Sequence, residues 1–116
     1  MASPSRTVLV VDDDGSIRLL CRLNLELDGS RVLEAASVAQ AREHLAAEHV
    51  DVVLLDVHVG SENGVVFMHE LRRTHPGVKV ALLTGSDRVE DTGSDAVIPK
   101  PFSLEQLTAT VANLAG

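Results

Sequence analysis

The sequence predicts an α/β fold of three layers, in which helices cover both faces of a five-stranded parallel sheet. Short continuous apolar runs recur along the chain, as expected of strands that are buried on both faces. Segments of helical period separate these runs, so that a strand and a helix together take about 20–25 residues and imply crossover connections.

The first half of the chain contains two strand–helix pairs. Thr7–Val11 (TVLVV) is a β-branched run that ends abruptly at three aspartates. Ile17–Leu27 carries apolar residues at spacings that mostly suit a helix, and the turn sequence DGS closes it. Arg31–Ala35 is a weaker strand. Ser37–Ala47 is an Ala-rich amphipathic helix, for which Ser37 is a suitable N-cap.

The second half continues the alternation. A second strong buried strand, DVVLLDV, is followed by a glycine-bearing loop at residues 60–64 and by a helix that ends at the sequence HPG. A further apolar run, a very short strand and a final amphipathic helix complete the chain. The predicted elements of this half are Asp51–Val57, Val65–Arg73, Val78–Leu83, Ala96–Ile98 and Leu104–Leu114.

Composition limits the classes of function. With 116 residues the chain fits one domain, for which we expect residues 7–116, after a flexible tail at residues 1–6. A net charge of −7 and an aromatic content of 2% argue against direct nucleic-acid contact. No apolar run approaches the length of a membrane span. The single cysteine, Cys21, fits a reducing cytoplasm.

Polar residues follow several of the predicted strands. The first strand ends at Asp12-Asp13-Asp14, the third contains Asp56 near its end, the fourth ends at Thr84, and Lys100 follows the last. The carboxyl ends of parallel strands lie at one edge of a sheet, where ligands bind in this class of fold. We therefore expect these residues to converge.

Each of these residues also has a plainer interpretation. Asp14 could cap a helix, Asp56 could be a solvated loop residue, and Lys100 could lie in an exposed turn. Carboxylates gathered at one edge, however, raise one another's pKa unless a cation lies between them. Their oxygens suit Mg²⁺, and a nearby ammonium and hydroxyl could stabilise a transferred phosphoryl group.

Four segments, VLVVDDD, DVVLLDV, LLTGS and PKPF, resemble in order and spacing the receiver domain of bacterial two-component response regulators. The resemblance covers about residues 6 to 115. It implies a flavodoxin-like sheet of strand order 2-1-3-4-5. It also implies Mg²⁺ as the cofactor, with Mn²⁺ as a substitute.

The resemblance implies a role for each matching residue. Asp56 would be the phosphoacceptor, and Asp13 and Asp56 would ligate Mg²⁺ directly, with Asp12 acting mainly through water. Thr84 would hydrogen-bond the phosphoryl group. Lys100 would pair first with Asp56 and then with that group, and the Lys100–Pro101 peptide would be cis.

Further positions follow from the same resemblance. His58 would give its backbone carbonyl to the metal, and His58 and Ser86 stand where receivers set the lifetime of the phosphoryl group. Val97 occupies a switch position at which many receivers carry Tyr or Phe. Partners would be a sensor histidine kinase or phosphotransfer protein and a downstream effector domain or protein, and a homodimer is a further option. Independently of the resemblance, we interpret Arg6, Arg18 and Arg22 as a solvated face.

The sequence departs from the family at three places. Eleven residues, Gly85–Asp95, separate Thr84 from the last strand, so we expect the family's fourth helix to be missing or reduced to a turn. Val97 is too stiff to swing as an aromatic ring does. Gly60 stands where the family usually has Pro and should loosen its loop. The output surface would then be the first helix, the last helix or residues 85–95.

Three functions are compatible with these residues. The first is a phosphorylation-operated binding module that assists only its own phosphorylation and dephosphorylation and is not a conventional enzyme. The second is a receiver-fold interaction domain that works without phosphorylation, which Val97 and the short 85–95 segment favour. The third is a Mg²⁺-dependent phosphatase with Asp56 as nucleophile. That class typically has a second aspartate two residues further on, where this chain has His58.

Overall fold

The computed structural model describes residues 6–85 and 93–116. Within these residues the helices and strands alternate much as the sequence predicts. In chain order they are β1 (Thr7–Val11), α1 (Gly15–Leu27), β2 (Arg31–Ala35), α2 (Val38–Ala47), β3 (Val52–Asp56), β4 (His58–Val59), β5 (Glu62–Asn63), α3 (Gly64–Thr74), β6 (Lys79–Thr84), β7 (Ala96–Pro99) and α4 (Leu104–Ala115).

The main sheet has five parallel strands in the order β2-β1-β3-β6-β7. Counted along the chain without the small β4–β5 pair, this is the predicted order 2-1-3-4-5. In register, Asp56 lies opposite Leu83, and Thr84 lies opposite Pro99. The carboxyl ends of the neighbouring strands β3, β6 and β7 therefore lie at the same edge of the sheet.

Helices cover both faces of the sheet. The helices α2 and α3 pack on one face, and α1 and α4 pack on the other, so the predicted three-layer fold is confirmed. Every residue of β1 is buried, as expected of a strand with helices on both sides. The side chains of β1 alternate between the two cores, with Leu9 and Val11 in one and Val8 and Val10 in the other.

Side-chain caps fix where the helices begin. The carboxylate of Asp14 accepts hydrogen bonds from the amides of Ser16 and Ile17, so α1 begins two residues before the predicted start. Ser37 caps α2 as predicted, because its hydroxyl accepts from the amide of Gln40. These caps satisfy backbone donors that the first helical turn leaves unpaired.

The loop after β3 differs from the prediction. Instead of a loosened loop, residues 58–63 form a small antiparallel hairpin in which Val59 lies opposite Glu62. Gly60 has a φ of 61°, at the first residue of the two-residue turn, which is the position that a type II′ turn gives to glycine. Proline could not adopt this φ, so Gly60 is required by a tight turn.

The connection between β6 and β7 is only partly described. The prediction of a missing or reduced helix falls on residues 85–95, of which 86–92 lie outside the described residues, as does Ser86. The described residues contain four helices, which is consistent with the prediction. None of these four is both long enough and apolar enough to cross a membrane.

An ion pair fixes the chain where it enters β7. A guanidinium nitrogen of Arg72, in the last turn of α3, lies 2.8 Å from a carboxylate oxygen of Asp95. The same oxygen accepts a hydrogen bond from the amide of Val80 at 2.8 Å. Burial raises the pKa of Asp95, but the hydrogen bonds from Val80 and Arg72 and the charge of Arg72 outweigh it, so the pKa is lowered.

The first residue of α3 touches the backbone of β3. A methyl group added at Gly64 would lie 2.0 Å from the carbonyl oxygen of Asp56, and the amide of Gly64 donates to the carbonyl of Val57 at 2.7 Å. Only glycine permits this approach, because any Cβ would overlap the Asp56 carbonyl. The start of α3 therefore depends on the absence of a side chain at residue 64.

We expect Gly64→Ala to lower the free energy of unfolding by about 1–3 kcal/mol, since the added methyl forces the start of α3 away from Asp56. Urea unfolding followed by circular dichroism measures the change. Gly77→Ala is the matched control, because nothing lies within 4 Å of a Cβ at that position. Equal stability of the two variants would contradict the steric argument.

Asp95→Asn should lower the free energy of unfolding by about 1 kcal/mol at neutral pH. Because the pKa of Asp95 is lowered on folding, the stabilisation is present above the ordinary value of 3.8 and is lost as the pH falls through the folded value. Denaturant titrations of the unmodified chain and of Asp95→Asn should therefore show a difference in the free energy of unfolding at neutral pH. This difference should disappear at low pH. Asp28→Asn, at an exposed site, controls for the loss of a charge; a gap independent of pH would refute the assignment.

Candidate functional site

Four of the predicted site residues meet at the carboxyl edge of the sheet. The ammonium group of Lys100 lies 2.9 Å from an oxygen of Asp56 and 3.1 Å from an oxygen of Asp12. Asp12, Asp13 and Asp56 each offer a carboxylate oxygen, and these oxygens lie within 4.8 Å of one another. One ammonium and three carboxylates therefore share a small volume.

Asp12 is held rigidly at the end of β1. Its amide donates to the carbonyl of Ala35, and one carboxylate oxygen accepts from the amide of Asp14 at 2.9 Å. Arg18 of α1 donates to the backbone carbonyl of Asp12 at 2.8 Å and to Glu34 at 3.3 Å. The interpretation of Arg18 as a residue of a solvated face was therefore wrong, because Arg18 holds the backbone of the acidic turn.

Asp56 is the last residue of β3, and both of its carboxylate oxygens are engaged. One accepts from the amide of His58 at 3.1 Å, and the other accepts from the ammonium of Lys100. The side chain keeps 15% of its surface exposed, whereas that of Asp12 is fully buried. Asp56 is thus oriented from two sides and still open to solvent.

Lys100 follows directly after β7. Its amide donates to the carbonyl of Thr84 at 2.6 Å, which joins it to the end of β6. The Lys100–Pro101 peptide is cis, as the family resemblance implies. Phe102 packs against the core beneath α1 and α4, so the segment after the lysine is anchored in the interior.

The remaining predicted residues lie around this centre. Thr84 is buried at the end of β6, and His58 is exposed in β4. Val97 lies in the edge strand β7 opposite Leu82 and is 45% exposed. Its neighbour Ile98 is buried in the core with α1 and α4, so Val97 faces the other side of the sheet.

Burial and the neighbouring groups shift the pKa values of Asp12 and Lys100. Loss of water, followed by the nearby charge of Asp56, raises the pKa of Asp12, although hydrogen bonds from the amide of Asp14 and from Lys100 reduce the effect. Burial alone would lower the pKa of Lys100. Its hydrogen bonds to Asp56 and Asp12 outweigh burial and raise its pKa, so the lysine stays charged.

The donor set fits a magnesium ion. Three carboxylates and one ammonium leave a net negative charge in the cluster when all four groups are ionised. Carboxylate oxygens are the hard ligands that Mg²⁺ uses, together with water and phosphate oxygens. Asp13 is exposed and Asp12 is buried. A cation would therefore enter from solvent beside Asp13 and would have the carboxylate of Asp12 on its buried side.

Reading the sequence missed two positioning residues. Gly64 lies against the Asp56 carbonyl, and its only signal in the sequence is a glycine that ends the predicted loop, directly before a predicted helix. Arg18 lies one turn after the cap of α1, which places its side chain back over the acidic turn. In both cases the sequence showed the residue type but not the backbone that it would meet.

Comparisons with known proteins agree on one family. The family model described as the response regulator receiver domain matches residues 8–112. The chain is 36% identical over 107 residues to the probable transcriptional regulatory protein TcrX of Mycobacterium tuberculosis, covering 87% of this chain and 46% of the relative. The chain spans about half the length of the curated relatives that it matches.

Solved structures show the same fold. A response regulator from Thermotoga maritima superimposes with a TM-score of 0.85 at 30% identity, covering 97% of this chain and 98% of the other. The BeF3-activated receiver domain of DrrB gives a TM-score of 0.86 at 27% identity, covering 96% of this chain and 97% of the other. The chain belongs to the receiver domain family of response regulators, the proteins of two-component signalling.

Proposed function

We propose that this receiver domain accepts a phosphoryl group on Asp56 from a histidine kinase or a phosphotransfer protein, in the cytoplasm. One observation carries the proposal: the partly exposed Asp56 lies in a carboxylate cluster, and the ammonium of Lys100 joins it to the buried Asp12. Phosphorylation of an aspartate is general for the family, and Asp56 ends the strand that resembles the family's acceptor strand.

The reaction needs little covalent chemistry from the protein. A carboxylate oxygen of Asp56 attacks the phosphorus of a phosphohistidine; the new P–O bond forms as the P–N bond breaks, and the donor's imidazole keeps the electron pair. The amide of His58 orients the Asp56 carboxylate, while Lys100 supplies a positive charge beside the oxygens of the incoming group.

Asp13 and Asp56 would hold Mg²⁺, with Asp12 behind them. When bound, the ion supplies further charge neutralisation to the transferred group. Asp12 keeps Lys100 in place because it pairs with the same ammonium from the buried side. The residues of the chain therefore position the acceptor and compensate its charge, and they assist only the domain's own modification.

Phosphorylation would add negative charge beside Lys100, which now pairs with Asp12 and Asp56. The phosphoryl group brings a charge of about −2 and three strong acceptors. Lys100 would turn to it, and Thr84, joined to Lys100 through the backbone, would donate its hydroxyl. Val97 has no large ring to move. Output to an effector would therefore use a surface that does not depend on an aromatic residue at this position.

Incubation with a small-molecule phosphodonor and Mg²⁺ should add one phosphoryl group, seen as a mass increase of the intact protein. Asp56→Asn should abolish the adduct, because an amide is not a nucleophile of this kind. Asp28→Asn removes an exposed carboxylate at the far end of α1 and should leave the adduct intact. With neither Trp nor Tyr in the chain, intrinsic fluorescence cannot replace mass analysis.

Two outcomes would count against this proposal. An adduct that persists in Asp56→Asn would place the acceptor elsewhere. A folded protein that takes no phosphoryl group from a donor or from a cognate kinase would favour an interaction domain that works without phosphorylation.

Mg²⁺ should raise the thermal midpoint of unfolding, because an ion that binds only the folded state stabilises it by mass action. Asp13→Asn should remove most of this rise without a matching loss of stability in the metal-free protein, since Asp13 is exposed. Differential scanning calorimetry with and without Mg²⁺ measures both. An undiminished rise in Asp13→Asn would exclude that residue as a ligand.

A further inference from the structure

Asp13 is the proposed metal ligand with the least support from other side chains. The carboxylate of Asp56 is held by Lys100 and by the amide of His58. Asp12 is buried and pairs with the same lysine. Asp13 is exposed, and among the described residues no side chain holds its carboxylate by a hydrogen bond or an ion pair. The position of Asp13 therefore depends on the backbone on either side of it.

Both peptide groups that flank Asp13 are held by hydrogen bonds. The carbonyl oxygen of Asp12, which belongs to the peptide before Asp13, accepts from Nη1 of Arg18 at 2.8 Å. The amide of Asp14, which belongs to the peptide after it, donates to a carboxylate oxygen of Asp12 at 2.9 Å. Each bond limits the rotation of one planar peptide group. Together they set the direction in which the Asp13 side chain leaves the backbone.

Glu34 of β2 in turn holds Arg18. Nε of Arg18 donates to one carboxylate oxygen of Glu34 at 3.3 Å, and Nη1 of Arg22 donates to the other at 2.8 Å. The side chains of Arg18 and Glu34 are only 21% and 26% exposed, so solvent screens their ion pair less than it screens a surface pair. The carbonyl of Ala35, next to Glu34, accepts from the amide of Asp12. β2 therefore holds Asp12 through its amide and, by way of Arg18, through its carbonyl.

The charge of Arg18 and its hydrogen bond act on a bound cation in opposite directions. A guanidinium near the acidic cluster repels a divalent cation, which weakens binding. The hydrogen bond to Asp12 keeps Asp13 in place, so less order has to be imposed on that ligand when the metal binds. Glu34 compensates the charge of Arg18 and leaves its hydrogen bond to Asp12 intact.

We propose that Arg18 and Glu34 are positioning residues of the magnesium site, which strengthen Mg²⁺ binding by fixing the peptide group before Asp13. The inference rests on the Mg²⁺ site proposed above and adds two residues that would not touch the metal. Removal of a residue that orients a metal ligand typically lowers metal affinity by roughly 10–100-fold. The effect of Arg18 should therefore be measurable as a change in Mg²⁺ affinity.

Isothermal titration calorimetry with Mg²⁺ at constant ionic strength measures this change. Arg18→Met removes the charge and the hydrogen bond to Asp12, and it should raise the dissociation constant for Mg²⁺ about tenfold. Arg22→Met is the matched control, because it removes one charge and one hydrogen bond to Glu34 but no contact with Asp12. This variant should bind Mg²⁺ nearly as the unmodified chain does.

Glu34→Gln tests whether the two residues act as a unit. It should also weaken Mg²⁺ binding, because it releases Arg18 and leaves the charge of Arg18 uncompensated. In the double variant with Arg18→Met the two losses should not add, since Glu34 acts through Arg18. Thermal unfolding of the metal-free variants is measured alongside. A purely structural role would lower the midpoint of unfolding and leave the Mg²⁺ affinity of the folded protein unchanged.

Four results would overturn the proposal. Equal Mg²⁺ affinity of Arg18→Met and Arg22→Met would show that the bond to Asp12 positions no ligand. Tighter binding in Arg18→Met would show that the charge of Arg18 outweighs its hydrogen bond. If Arg18→Met does not fold, Glu34→Gln decides, and an affinity equal to that of Arg22→Met contradicts the proposal. An unmodified chain that binds no Mg²⁺ would refute the metal site itself, whereas the other results leave that site standing.

Discussion

The ammonium of Lys100 between Asp12 and Asp56 is the contact on which the site depends. Asp12 is fully buried and would be costly to keep charged without a partner. The same ammonium reaches Asp56, which is open to solvent. A change at Asp56 therefore alters the compensation of a buried charge, and this links the surface of the site to the interior of the sheet.

Backbone contacts fix the geometry of this ion pair. The amide of His58 fixes one oxygen of Asp56, the amide of Lys100 joins the end of β6, and Gly64 brings α3 directly against the Asp56 carbonyl. In each of these contacts at least one partner is a backbone group. Positioning by the backbone suits the proposed reaction, in which the protein chiefly orients Asp56 and compensates its charge.

The two faces of the sheet differ in what they leave exposed. On the face with α2 and α3, the edge strand β7 presents Val97, next to a connection that is short for a helix. On the face with α1 and α4, the outer side of α1 exposes Leu19, Leu20, Leu23 and Leu27. The apolar side chains that these two faces expose thus lie on different elements, β7 and α1.

The sequence by itself determined the fold class, the sheet order through its family resemblance, and the residues that meet at the site. Apolar runs such as TVLVV specify strands buried on both faces, and the topology then brings their ends to one edge. Tertiary structure alone decided the roles of Gly60, Gly64 and Arg18. A glycine's φ, the backbone that it touches and the carbonyl that an arginine reaches depend on contacts between segments distant in the chain, which no local pattern encodes.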